Sequence, residues 1–198
     1  MQQPSSRISL SLGLSGVALL LGGCATGRYT PPVVNSSPSD YTVVVDRSFD
    51  ETWKKLIDYA AGTFFAIDNY EKASGLLTLS FGSANPPEFI TGGPWEVSNM
   101  VVTFEGDYVE YLSTYAQGRL DGRMNIVVSQ EGPQTTRVTV NARYIFAAQF
   151  VDGPRDQWTF NSGNCGTTRV TNPSPGTPPF RTICPTYTAE RAILAALK

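Results

Sequence analysis

The sequence contains no histidine. That absence excludes a Ser-His-Asp or Cys-His catalytic arrangement and leaves a zinc site without the ligands it needs. There is no glycine-rich loop of the phosphate-cradling type. Charge is sparse and balanced, with 15 basic and 17 acidic residues. A nucleic-acid binder would show a basic face, so no nucleic-acid partner is expected. The acidic residues are scattered. Asp107 with Glu110, and Asp152 with Asp156, could approach each other as the carboxylates of a glycoside hydrolase must. Acidic residues at turns more commonly solvate loops. No residue set amounts to a catalytic signature, and the chain reads as a non-enzyme with no cofactor and no metal.

Long apolar runs are also missing, save one. Arg7 is the only charge in the first 23 residues. The run Ile8 to Leu21 falls short of the roughly 20 residues that a membrane-spanning helix needs. Leu21-Gly22-Gly23-Cys24 closes it. A basic start, an apolar centre and small residues before a cysteine have the order of an export signal. This stretch resembles the lipobox of bacterial lipoproteins. The resemblance implies cleavage before Cys24, a diacylglycerol on its thiol, and a further acyl group such as palmitate on its new amine. The lipid bilayer is then a partner through those acyl chains. Residue 25 is Ala rather than Asp, which in the Gram-negative family implies the outer membrane, with the domain facing the periplasm.

Removing residues 1–23 leaves 175 residues, enough for one domain with a sizeable core. The leader takes one basic and no acidic residue, so the remainder carries a side-chain charge of −3. Cysteine is scarce, with three in all. With Cys24 lipidated, Cys165 and Cys184 remain as an even pair, which in an oxidising periplasm reads as a disulfide. Residues 24–40 read as the lipidated cysteine and a tether stiffened by Pro31, Pro32 and Pro38. Residues 41–198 read as a single periplasmic domain.

Within that domain Tyr41 to Asp46 reads as a strand. A helix follows, with Ser48 as N-cap and Glu51 completing a capping box. Phe49, Trp53, Leu56, Ile57 and Ala60 form its apolar stripe. Phe64 to Lys72 and Leu76 to Phe81 read as a hairpin turning at Ala73-Ser74-Gly75. Gly82 to Asn99 reads as a long loop, rich in Pro and Gly, that displays Phe89, Ile90 and Trp95. Loops of this length are often functional; a flap whose aromatics cover one end of the sheet fits equally well. Met100 to Phe104 and Tyr108 to Ala116 are predicted as strand. A tight turn is predicted at Asp121-Gly122. Alternating strands follow, through Met124, Ile126 and Val128 and then from Arg137 to Phe146. Ala189 to Lys198 closes the chain as a short helix, with Thr188 as a possible N-cap.

Strand, helix, several antiparallel strands and helix predict an α+β fold. It would be one curved antiparallel sheet with a long N-terminal helix and a short C-terminal helix on one face. Ser48-Phe49-Asp50-Glu51-Thr52-Trp53 and Lys72-Ala73-Ser74-Gly75 resemble the helix-grip domain of BamC-like outer-membrane assembly lipoproteins. That resemblance implies a structural or adaptor component of an envelope protein assembly. Phe89, Ile90 and Trp95 are the candidate partner-binding residues. The alternative is a carrier of a small apolar ligand held between sheet and helix.

Overall fold

The structure is a computed structural model that describes residues 26–33 and 36–198. Cys24 lies outside the described residues. Three antiparallel sheets hold nearly half of the described residues.

The largest sheet is built on a long hairpin, β8 (Arg119–Gly132) and β9 (Thr135–Gln149). Leu120, Met124, Ile126 and Val128 alternate inward on β8, and Val138, Val140, Ala142, Tyr144 and Phe146 on β9. This period of two puts one face of the hairpin in the core. Asp121 and Gly122, expected to turn the chain, lie inside β8 opposite Ile145 and Tyr144. Gly122 is needed there for space, since a Cβ would sit 2.2 Å from the Phe81 ring. On the far side of β8 lie β4 (Leu76–Ser83) and the exposed edge strand β3 (Ala66–Glu71). The free edge of β9 is shared. Its first half pairs with β2 (Thr42–Val45) and its second half with β10 (Arg155–Asn161).

The capping box read from Ser48 and Glu51 forms, and it starts α1 (Phe49–Ala61). Trp53, Leu56 and Ala60 are buried from α1, and Ala189, Ile193, Leu194 and Leu197 from α3 (Thr188–Leu197). With the inward residues of the large sheet they make one continuous core. Sheet and helix are in direct contact there.

The α+β expectation is corrected. Strands make up 47% of the described residues, in three antiparallel sheets, with three short helices and no long N-terminal helix. The longest helix, α1, has 13 residues. Two causes account for the difference. Four residues expected in the tether are a strand, β1 (Thr26–Tyr29), which pairs with β6 (Pro94–Ser98) and, through it, β7 (Thr103–Asp107). The expected Gly82–Asn99 loop also supplies β5 (Ile90–Thr91), which joins β12 (Phe180–Pro185) and β11 (Gly166–Arg169). Tyr108 to Tyr115, predicted as strand, is the helix α2.

Candidate functional site

The site grows from one carboxylate. Asp107 ends β7 and caps α2, accepting the Val109 amide at 2.7 Å. The same carboxylate accepts the amides of Gly92 and Gly93 and the Thr91 hydroxyl. An anionic cap at a helix N-terminus is favoured by both hydrogen bonding and the helix dipole. Asp107 therefore fixes where α2 leaves the sheet, and so where Tyr108 and Tyr111 point. Gly93 has φ +76°, and a Cβ there would meet the Thr30 carbonyl at 2.4 Å, so only glycine fits under β1.

Arg181 of β12 is the centre of this region and is 1% exposed. Its guanidinium carbon lies 4.5 Å from the Tyr29 ring centroid, 4.9 Å from Trp95 and 5.4 Å from Tyr108. Such cation–π contacts strengthen when desolvated. The guanidinium donates to the Pro178 and Phe180 carbonyls and to the Thr177 hydroxyl. No ion pair involves Arg181 among the described residues. Burial lowers its pKa from the ordinary arginine value. Burial likewise raises the pKa of Tyr29, Tyr108 and Tyr111, which keeps the phenols neutral around the cation. Tyr29 ties two sheets together: the Thr182 amide donates to its hydroxyl, which donates back to the Thr182 carbonyl.

A cavity of about 240 Å³ opens beside this cluster, lined by Trp95, Tyr108, Tyr111, Phe150, Asp156 and Arg181 among others. Two N–H groups here are buried without a hydrogen-bond partner, the Trp95 Nε1 and the Arg181 Nε. Each unmade bond of this kind costs about 1–3 kcal/mol. The wall thus combines aromatic faces with one cation, while the two unpartnered donors lie behind it with no accessible surface. What fits it is a group with an apolar stem and an acceptor end, a carboxylate above all. Asp156, on the same wall, already accepts the Thr171 hydroxyl at 3.1 Å.

The three residues expected on a binding loop separate. Phe89, Ile90 and Trp95 are 5, 1 and 2% exposed, so none is displayed on a surface loop. Phe89 packs on Phe81, and Ile90 lies in the short β5 strand. Trp95 is covered by β1, where Tyr29 lies opposite it, yet it also lines the cavity. Cys165 and Cys184 form the expected disulfide, with Cα atoms 4.3 Å apart. It clips the segment carrying Val170, Asn172 and Ser174, which close one side of the cavity. The carboxylates weighed for hydrolysis do other things. Asp107 is the α2 cap, and Asp156 bonds Thr171. Arg181 carried no signal in the sequence, since a lone Arg among Pro and Thr reads as solvated loop.

A second buried polar cluster braces the fold. Where the β9 edge passes from β2 to β10, the Ser162 hydroxyl accepts the Ala142 amide and donates to Glu190 at 2.7 Å, and the Ser162 amide donates to the Ala142 carbonyl. Comparison with protein-family models, with curated proteins and with solved structures finds no match.

Proposed function

We propose that this chain is an envelope lipoprotein, anchored in the outer membrane through acyl chains on Cys24 and facing the periplasm. In this reading it acts as an adaptor in an envelope protein assembly. It holds its partner by one side chain seated in the Arg181 cavity. The observation that carries the binding role is an aromatic-walled cavity of side-chain size beside the Arg181 cation, which has no ion pair among the described residues. Trp, Tyr and Arg are the residue types that dominate protein interfaces, and a fully desolvated pocket is where they act most strongly. A carboxylate from the partner seated there would lie beside the Arg181 cation and offset its charge. The leader ending in Leu21-Gly22-Gly23-Cys24 supports the anchoring half, and the disulfide fits an oxidising compartment.

Two measurements test this proposal. Metabolic labelling with a fatty-acid analogue should mark the wild type and not Cys24→Ser; label persisting in Cys24→Ser rejects the anchor. Photo-cross-linking in intact cells, with the probe at exposed Asn172, should capture a defined envelope protein. Tyr111→Ala, which also removes ring contacts with Trp95, Tyr108 and Phe150, should abolish that capture when capture is counted per folded molecule. Placing a negative charge at the rim by Asn172→Asp, with the probe moved to Ser174, should do the same. Capture that ignores both substitutions rejects the cavity as the contact.

A further inference from the structure

The β6–β7 hairpin ends in an apolar tip. Met100 is 94% exposed and Val101 is 90% exposed, the two most exposed large apolar residues described. From Val97 to Phe104 the chain carries no charge. The tip also bonds to itself. The Asn99 side chain accepts the Val101 and Val102 amides, each at 2.8 Å. The Asn99 amide donates to the Val102 carbonyl at 2.9 Å. Four backbone groups that the turn would otherwise leave bare, three amides and one carbonyl, are therefore satisfied internally. A backbone so arranged can leave water at less cost than an open loop.

The register of β1 says what this tip faces. Thr26 lies opposite Ser98, and Tyr29 lies opposite Trp95. The chain therefore enters the fold at the tip and runs away from it. Only Ala25 separates Thr26 from Cys24. Two residues reach at most about 7 Å, and paired strands lie about 5 Å apart. Acyl chains on Cys24 would thus leave the protein beside Met100 and Val101.

We infer that the Asn99–Val102 tip enters the interfacial layer of the bilayer next to the lipidated Cys24, giving the domain a second, non-covalent foothold that fixes its tilt. This rests on the lipoprotein reading above. The occupant of the tip is acyl chain and headgroup boundary, because the chain's own route to its anchor passes there. Depth is limited by charge. Glu96 and Glu105 face each other two ladder pairs above Ser98 and Thr103, with Arg28 3.7 Å from Glu96. These hydrated groups stay outside, which leaves about 10 Å of hairpin to enter, the usual depth of an interfacial segment.

The methionine content makes the test simple. The chain has three, Met1 in the leader, Met100 at the tip and Met124 fully buried in the core. The full-length protein is produced in an envelope-bearing bacterium with a diazirine methionine analogue, irradiated in its native membrane and digested. A phospholipid adduct is expected on the peptide containing residue 100, and lost in Met100→Leu. A site-specific diazirine probe at Val151, also exposed, should give none. The same digest reports acylation of Cys24. If Cys24 is acylated and residue 100 carries no lipid adduct, the inference is overturned and the anchor stands. Equal adduct yields at 100 and 151 overturn it also, since they mean unspecific contact. If Cys24 carries no lipid, the anchoring reading has failed and the second foothold falls with it.

Discussion

The Tyr144 hydroxyl donates to the Glu190 carboxylate at 2.7 Å, and both side chains have no exposure at all. Burial is the first cause that pushes the Tyr144 pKa far above its ordinary value, with Glu190 adding to it, and burial raises Tyr108 as well. In the unfolded chain these phenols ionise near about pH 10. Above that pH the unfolded state holds fewer protons than the folded one, so stability falls as pH rises. Below it their contribution is fully present. Urea midpoints between pH 8 and 11.5 should therefore drop steeply above 10, and less steeply in Tyr144→Phe. At pH 7 that variant should lose about 1–3 kcal/mol, because Glu190 keeps only Ser162 as a partner. Identical slopes in the two proteins would show that Tyr144 does not carry the effect.

Asp107 should be the costliest single carboxylate near the cavity. Asp107→Ala removes the α2 cap, worth about 1 kcal/mol, and strands the part-buried amides of Gly92 and Gly93. A total loss of about 2–4 kcal/mol is expected in chemical denaturation. Asp107→Asn keeps one acceptor oxygen and should lose about half as much. Equal losses in the two variants would mean that charge, rather than hydrogen bonding, holds the junction.

The Cys165–Cys184 bridge spans 19 residues. On the chain-entropy account, removing such a loop constraint costs about 3 kcal/mol. The Cys165→Ala/Cys184→Ala double variant should show this as a lower urea midpoint. Added reductant should shift the wild type in the same direction and leave the double variant unmoved. A double variant as stable as the oxidised wild type would rule out a stabilising bridge.

Gly122 and Phe81 should couple. Gly122→Ala drives a methyl into the Phe81 ring, and overpacking of this kind costs about 1–3 kcal/mol. Phe81→Leu alone should also destabilise. Combined, the two should cost less than the sum of the parts, which a double-mutant cycle in urea reads directly. Strict additivity would show that the ring moves aside freely.

Much of the fold was legible where the signal is local. The α1 start follows from Ser48 and Glu51, three residues apart, each of whose side chains accepts the other's backbone amide. The β9 alternation needs no partner to be seen. What failed depended on distant chain. Trp95 looked displayed because its cover, β1, lies 66 residues earlier and reads as Pro-rich spacer. Tyr108 to Tyr115 looked like strand because aromatic and branched residues favour strands, while the cap that makes them helix, Asp107, was also weighed as a carboxylate partner. The cavity needed β1, β6, α2 and β12 to meet around Arg181, and no spacing in the sequence announces that meeting. The disulfide was legible because setting Cys24 aside leaves Cys165 and Cys184 as an even pair.

The division of the β9 edge sets an order of assembly. β8, β9 and β10 follow one another in the chain, and the turn between β8 and β9 needs only residues 133 and 134. β2 must find the same strand across 97 residues, where Thr42 meets Thr139. The difference in loop-closure entropy is roughly 3 kcal/mol. Residues 119–161 can therefore pair locally as a meander before β2 reaches the β9 edge. The early intermediate would expose the inner face of β8 and β9 until α1 and α3 cover it. That interval, rather than the finished fold, is where this chain would most need protection from aggregation.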